Sequence, residues 1–386
     1  MNTQGLIVIQ SMELWLPLTA NWIYNHMNCM DQVFSVVLAR RLIEPERFPW
    51  NPLYAPGSGG LYRYKISKKL GIRWHPPIFD KAIQEHNPKV IHSHFGNMGW
   101  YDLPLVNKHG LKHIVTFYGL DVNMLPSQDP VWQTRYQELF SRADLFLCEG
   151  PHMASCLEGL GCPPDKVKVQ RLGVDVEKIA YVPRKLRAGE PLRILIAGSF
   201  REKKGVPYAL EAVGKLRQQG KDVQVTVIGD SRGIKREELE KQKILGVVEK
   251  YDLQPVIRML GFQSHAKMMG EAYQHHVFLS PSVTASNGDT EGGAPVTIIE
   301  MAASGMVVVS TTHCDIPQVI LDGRTGLLAE EREVEGLVTH LHWLYENPQS
   351  WSTFTNSGRK HIEERFNLKT QAKLLERKYQ RLANDE

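Results

Sequence analysis

The sequence predicts an α/β protein built from two doubly wound parallel sheets, and three observations carry that expectation. Short β-branched runs recur along all 386 residues, each followed by a helical pattern, as βαβ units require. The runs "ILIAG" and "MVVVS" are continuously apolar rather than alternating, which marks strands covered on both faces. The stretch Tyr181–Pro191, "YVPRKLRAGEP", is rich in Pro, Gly and basic residues, and a fresh strand begins at Leu192, so it reads as a linker between two domains.

Taken in order, the first half offers "GLIVIQ", "QVFSVVLA", "KVIHSH", "KHIVTF", "DLFLCEG" and "KVKVQRLG" as strands. The second half offers "LRILIAGS", "VQVTVIGD", "VIRMLG", "HVFLSPS" and "MVVVST". From about Ser350 the chain is mostly helical in period.

Composition narrows the class. Hydrophobic residues make up 42% and charged residues 23%, ordinary for a soluble globular protein. The net charge of +4, from 46 basic and 42 acidic residues, is too mild to argue for nucleic acid, and no recognised nucleic-acid motif interleaves aromatic with basic residues. The five cysteines, Cys29, Cys148, Cys156, Cys162 and Cys314, are odd in number with no CxxC pair, which disfavours a disulfide framework or structural zinc and fits a reducing, cytoplasmic compartment. The N-terminal "MNTQGLIVIQ" reads as a strand rather than a signal peptide, and no stretch reaches the roughly 20 apolar residues of a membrane-spanning helix.

Two segments carry chemistry. In "AGSFREKKGVPYALEAVGKL" a strand ends, a basic loop follows, and Gly205 opens an amphipathic helix. Basic side chains at the carboxyl end of a parallel strand stand where open α/β sheets bind ligands, so Arg201, Lys203 and Lys204 are candidates to neutralise a diphosphate; a solvent-facing loop is the alternative. In "EGGAPVTIIE", Gly292 and Gly293 permit close approach of backbone to ligand, and Pro295 is expected at the first helical position. The helix start offers free N–H groups to a phosphate, Glu300 a carboxylate for a ribose diol, and Glu291 one for a sugar ring; capping or solvation is the alternative for each.

The order "AGSFREKKG", "VIGD", "VFLSPSVTASNGDTEGGAPVTIIEMAASGMVVVST", "HCDIPQVI" and "DGRTGLL" resembles the nucleotide-sugar domain of family 4 retaining glycosyltransferases with the GT-B fold. The first half is similar to the same family more weakly, through "ELWLPLTANWIYNHM", "VIHSHFGNMG", "VTFYGLDV" and "RLGVDVEKI", in the manner of enzymes that build surface polysaccharides. The resemblance implies two Rossmann-like domains facing a central cleft: an acceptor-side domain 1–185, a donor-binding domain 186–365, and a C-terminal helix 366–386 that crosses back onto the first domain. It implies that Lys204 binds the donor diphosphate, Glu300 the ribose, Glu291 the transferred sugar, and backbone N–H groups near Val296 and Thr297 the distal phosphate. Ser199, Gly229 and Ala294 fall within the same donor-site motifs.

The sequence departs from the family in four places. Ser199 stands where the family has Arg, with Arg201 two residues on. Eight residues separate Glu291 from Glu300, one more than usual. Gln318 replaces the Glu of "IPE", and Tyr118 in "TFYGLD" replaces a His that is often a catalytic or acceptor contact.

His92 and His94 end a strand that is expected to stop between them, and structural and functional readings both stand, with His94 the nearer to a cleft. Asp121 suits a helix cap or a cleft carboxylate. His275 and His276 are expected at the surface. The basic, aromatic segment "LYRYKISKKLGIRW" suits either a solvated face or an anionic membrane.

The expected function is transfer of a sugar from a nucleoside-diphosphate donor to a glycan or lipid-linked acceptor with retained configuration. No cofactor or metal is expected beyond the donor substrate, and the location is cytoplasmic, with peripheral contact at the inner membrane face. The alternatives are a catalytically degenerate GT-B protein that binds a nucleotide sugar and a GT-B sugar-nucleotide epimerase.

Overall fold

A computed structural model describes residues 5–16 and 21–384. The chain divides into two compact units, Met1–Gly173 with Leu368–Glu386, and Val174–Asn367. The stretch Tyr181–Pro191 begins inside the second unit, where Val182 N–H donates to Ser304 O and the buried Arg184 guanidinium donates to the carbonyls of Ala272 and Ser304.

In the first unit seven parallel strands form one sheet: β1 (Leu6–Trp15), β2 (Val33–Leu42), β3 (Leu53–Tyr54), β4 (Val90–His94), β5 (Lys112–Thr116), β6 (Leu145–Cys148) and β7 (Val167–Val169). Their order is β3-β2-β1-β4-β5-β6-β7. The C-terminal helix Leu368–Ala383 packs Leu375 and Tyr379 on Val8, Val90, Ile114 and Leu147 of this sheet. It is also tied by Glu376, whose Oε1 accepts from Gln32 N–H at 2.6 Å.

In the second unit six parallel strands pair in the order β10-β9-β8-β11-β12-β13. They are β8 (Leu192–Ala197), β9 (Val223–Ile228), β10 (Ile257–Met259), β11 (Val277–Ser280), β12 (Val307–Thr311) and β13 (Leu327–Ala329). Successive residues serve opposite faces. Ile194 and Ile196 join one core with the helices Val206–Gln218, Lys235–Lys250 and Val334–Glu346, while Leu195 joins the other with Val296–Ala303 and Trp351–Arg365. Val307 and Val309 divide from Val308 in the same way. Each such side chain, fully buried, contributes roughly 1.5–3 kcal/mol.

Both sheets reverse their winding beside their first strand, between β1 and β4 and between β8 and β11. At such a switch point neighbouring connections leave in opposite directions, which opens a crevice at the carboxyl ends of the strands. His94 ends β4, Tyr118 and Asp121 follow β5, Ser199 to Lys204 follow β8, Gly229 follows β9, and Glu291 to Glu300 follow β11.

Two expectations need correction. His275 and His276 are buried, not at the surface, because they lead into the central strand β11. His275 bonds Thr226 Oγ1 at 2.8 Å, and His276 Nδ1 accepts from Arg193 N–H at 3.0 Å. Strand β4 continues through His94 rather than stopping after His92, so both rings lie on one face, 4.3 Å apart.

Candidate functional site

In the second unit the basic loop after β8 packs against the loop after β11. Gly205 makes this possible: its φ is +63°, and a Cβ there would lie 1.8 Å from the Pro281 carbonyl oxygen. Lys204 Nζ lies 2.9 Å from Glu291 Oε1 and 3.0 Å from Oε2. Lys203 Nζ donates to Thr290 O at 2.6 Å and lies 3.3 Å from Asp289 and 3.7 Å from Glu291. The Arg201 guanidinium pairs with Asp289. Three cations thus converge on two carboxylates, and the side chains of Asp289 and Glu291 are almost wholly buried.

Burial by itself would raise the Glu291 carboxyl, but Lys204 and Lys203 outweigh it and hold the group down at about 2. Burial lowers Lys203 despite the facing carboxylates. The cluster concentrates positive charge where a phosphate could replace a carboxylate.

The longer Glu291 loop is accommodated by a built support. Glu291 N–H donates to His313 Nε2 at 3.1 Å, and His313 Nδ1 donates to Glu331 Oε1 at 2.5 Å, which fixes the buried ring between them. Gly292 turns the chain at φ +77°, and Gly293 O accepts from Asp315 N–H at 3.3 Å. The helix then begins at Val296, so Pro295 is its N-cap, one residue before the position expected. The first-turn amides of Val296 and Thr297 have no partner within the helix by geometry.

Glu300 lies one helical turn further on and is mostly buried, with Oε1 2.8 Å from His265 Nε2. That hydrogen bond raises the His265 imidazole. The two glutamates therefore hold different partners: Glu291 the lysines and Glu300 a histidine. Gly229, at φ +136°, meets the Gly198 carbonyl beside Ser199, where a Cβ would approach to 1.8 Å. Ala294 is half-buried between Gly293 and the helix start.

In the first unit His94 and Tyr118 are joined directly: His94 Nδ1 lies 2.8 Å from the Tyr118 hydroxyl, and Nε2 3.0 Å from Gln10 Oε1. Burial pushes His94 down to about 3, so the ring is neutral, and raises the Tyr118 phenol well above its usual value. His92 bridges the Tyr379 hydroxyl at 2.7 Å and Thr116 Oγ1 at 2.6 Å. Asp121 does not face this group. Its carboxylate accepts from the backbone N–H groups of Gly96 at 2.6 Å and Tyr118 at 3.0 Å, so it caps the start of the helix Gly96–His109 from outside. Burial raises it to about 6 against those bonds.

The segment at Leu61–Trp74 is partly engaged within the fold. Tyr64 is buried, Lys68 pairs with Glu13 at 2.5 Å, and Arg73 pairs with Glu138 at 2.9 Å. Tyr62, Ile66, Leu70 and Ile72 remain exposed among Lys65 and Lys69.

Asp289, His313, Glu331 and His265 contact the lysines and glutamates of the second unit or their supports, and sequence reasoning does not single them out. Asp289 and His313 do lie within the motifs quoted above. Glu331 and His265 carry no local signal, because only the sheet brings them near.

Comparison with known proteins defines the class first. Sucrose-phosphate synthase from Thermosynechococcus elongatus superposes with a TM-score of 0.76 at 17% identity, covering 98% of this chain and 100% of that one. Anabaena Alr3699/HepE in complex with UDP superposes with a TM-score of 0.76 at 14% identity, covering 97% and 99%. The fold is the two-domain, Rossmann-like GT-B architecture.

Residues 178–361 match Glycosyl transferases group 1, and residues 36–178 match Glycosyltransferase Family 4. The chain thus carries these two glycosyltransferase domains side by side, spanning residues 36–361. It is 33% identical over 258 residues to the WcaL glycosyltransferase assigned to colanic acid biosynthesis in Salmonella typhimurium, covering 65% of this chain and 60% of that protein. It is 31% identical to the amylovoran biosynthesis glycosyltransferase AmsK of Erwinia amylovora, covering 66% and 60%. The matched region thus spans about 60% of the length of these relatives.

Proposed function

We propose that the protein transfers a hexose from a nucleoside-diphosphate sugar to a glycan or lipid-linked acceptor during surface-polysaccharide synthesis, with retained anomeric configuration. The observation that carries this reading is the cluster of Arg201, Lys203 and Lys204 around Asp289 and Glu291, beside a helix N-terminus. In this reading the donor diphosphate takes Lys204 from Glu291. The freed carboxylate then accepts a hydroxyl of the sugar, and Glu300 accepts the ribose diol.

As the glycosidic bond breaks, negative charge grows on the departing phosphate. Lys204 and the amides at Val296 and Thr297 are oriented beforehand to meet it. Charge and dipoles fixed in advance supply the greater part of the rate enhancement in many enzymes. No metal or further cofactor is assigned to the site in this reading.

Turnover of a panel of UDP-, GDP- and dTDP-sugars by purified protein, read as nucleotide release with and without added glycans, tests the proposal. Release with at least one donor is expected. A protein that neither binds nor consumes any of them overturns it. One observation favours a second reading, a protein that binds the donor without transfer: Tyr118 occupies the family's histidine position, with its hydroxyl held by His94. Binding without release would select that reading.

A peripheral location at the inner, anionic membrane face fits the exposed Tyr62, Ile66, Leu70 and Ile72 set among Lys65 and Lys69. Among the described residues no helix is long and apolar enough to cross a membrane. Co-sedimentation with vesicles containing phosphatidylserine tests this assignment. Lys65→Glu with Lys69→Glu should weaken binding by about 1 kcal/mol or more per charge, and equal binding to neutral vesicles would contradict it.

A further inference from the structure

A small cavity in the first unit is lined by Trp22, His26, His92, His94, Thr116 and Tyr118, with Gln10 and Tyr379 also on its wall. Its volume is about 30 Å³, close to the share of one water molecule or one hydroxyl group. Most of its polar wall is internally paired: one chain of hydrogen bonds runs from Thr116 through His92, Tyr379, Gln10 and His94 to Tyr118. Two buried atoms on that wall have no hydrogen-bond partner among the described residues, Trp22 Nε1 and His26 Nε2.

Their chemistry is complementary. Trp22 and His26 lie four residues apart on the helix Asn21–Asn28, and so on one face. An indole N–H only donates. The other histidine nitrogen, His26 Nδ1, lies 2.9 Å from the Trp22 carbonyl oxygen and must donate to it. Burial lowers the His26 imidazole, so the ring is neutral and Nε2 carries a lone pair. One group on the wall therefore gives a hydrogen bond and the other takes one. Leaving either unpaired out of water is costly.

We infer that this cavity is a hydroxyl-binding site, in which one alcohol group of a sugar accepts from Trp22 Nε1 and donates to His26 Nε2. A carboxylate or a phosphate diester is unsuited to this pair of atoms, because it has no proton for His26 Nε2, although Arg171 also lines the cavity. An ammonium is unsuited, because it has nothing to offer Trp22. The Trp22 ring packs 5.8 Å from that of Tyr118, so the bound alcohol lies beside the His94–Tyr118 pair. The inference rests on the proposed sugar transfer. It adds two residues to that reading and names a neutral hydroxyl as what the first unit recognises.

The test follows the Trp22 indole N–H resonance in the 15N-labelled protein, assigned by its loss in Trp22→Phe. Methyl α-D-glucopyranoside, -galactopyranoside and -mannopyranoside serve as acceptor probes and UDP-glucose as a donor probe. The inference expects at least one probe to shift the resonance and slow its exchange with solvent. Trp22→Phe and His26→Phe should each weaken that probe by about tenfold, the loss of one buried hydrogen bond. A shift with a glycoside places the acceptor's hydroxyl in the cavity, and a shift with UDP-glucose alone places the donor's there. A resonance unmoved by all four probes, in a protein that turns over a nucleotide sugar, means the cavity holds only an ordered water and overturns the inference. If wild-type protein binds and releases no nucleotide sugar, the sugar-transfer reading fails by itself, whatever the glycosides do at Trp22.

Discussion

The two units share a winding order and differ in what they place at its switch point. Beside β8 and β11 stand Arg201, Lys203, Lys204, Asp289 and Glu291, all charged and paired with one another. Beside β1 and β4 stand Gln10, His92, His94 and Tyr118, joined into a neutral network. One scaffold thus presents a charged surface suited to phosphate and a neutral one suited to hydroxyls. The difference arises in the side chains that the strands and their following loops carry and not in the strand order, which is why fold alone does not give function.

The comparison breaks most sharply at Lys204. Lys204→Ala should lower kcat/KM with the preferred donor by roughly 10²–10³-fold, as expected when a positioned charge on the leaving group is removed. Steady-state kinetics checks this, and an unchanged value would sever the cluster from phosphate binding.

Next comes the glycine that lets the charged loops meet. Gly205→Ala forces a side chain into a left-handed backbone and onto the Pro281 carbonyl. A loss of about 3 kcal/mol, read as a melting temperature lower by roughly 5–10 °C, is expected.

A smaller effect tests the neutral side. Tyr118→Phe leaves His94 Nδ1 without its partner and should cost about 1–3 kcal/mol in a urea titration. Affinity for a nucleoside diphosphate should not change, because that ligand is assigned to the other unit. A parallel loss of nucleotide affinity would merge what the comparison separates.

Acid should distinguish the two sides by where each loses stability. His94 binds protons in the unfolded chain near pH 6.5 but in the folded protein only near 3, so its contribution is lost as pH falls below 6.5. Glu291 behaves differently: its folded value of about 2 lies below the ordinary 4.5, so its contribution is lost only as pH falls below 4.5. Asp121 has the reverse sign. Its folded value near 6 exceeds 3.8, and it adds stability as pH falls through that window. Urea midpoints across pH 7 to 4 should therefore fall less steeply in His94→Gln than in wild type, while Glu291→Gln should retain the wild-type slope above pH 4.5.

Much of the architecture is legible in the sequence because apolar runs and basic loops are local signals. "LRILIAGS" and "MVVVST" form β8 and β12, and "REKKG" forms the basic loop. The edge strands β3 and β13 escape a reading by pattern, since two or three residues carry no period. Cations are visible but their partners are not: Arg201 and Asp289 are 88 positions apart, and only the pairing of β8 with β11 brings them together. His275 and His276 resemble surface residues because nothing local reveals that a central strand follows. Trp22 and His26 become notable only because, among the described residues, Trp22 Nε1 and His26 Nε2 lack the hydrogen-bond partners that the neighbouring groups have.

Titration calorimetry with UDP, GDP and dTDP, on wild type, Lys204→Ala and Glu291→Gln, tests the central claim most directly. If the diphosphate replaces Glu291 on Lys204, Lys204→Ala should weaken the best nucleotide by about tenfold or more. Glu291→Gln should bind it more tightly than wild type, because the competing carboxylate is gone. Equal affinity in wild type and Lys204→Ala, or weaker binding by Glu291→Gln, would contradict the assignment of this cluster to the donor diphosphate.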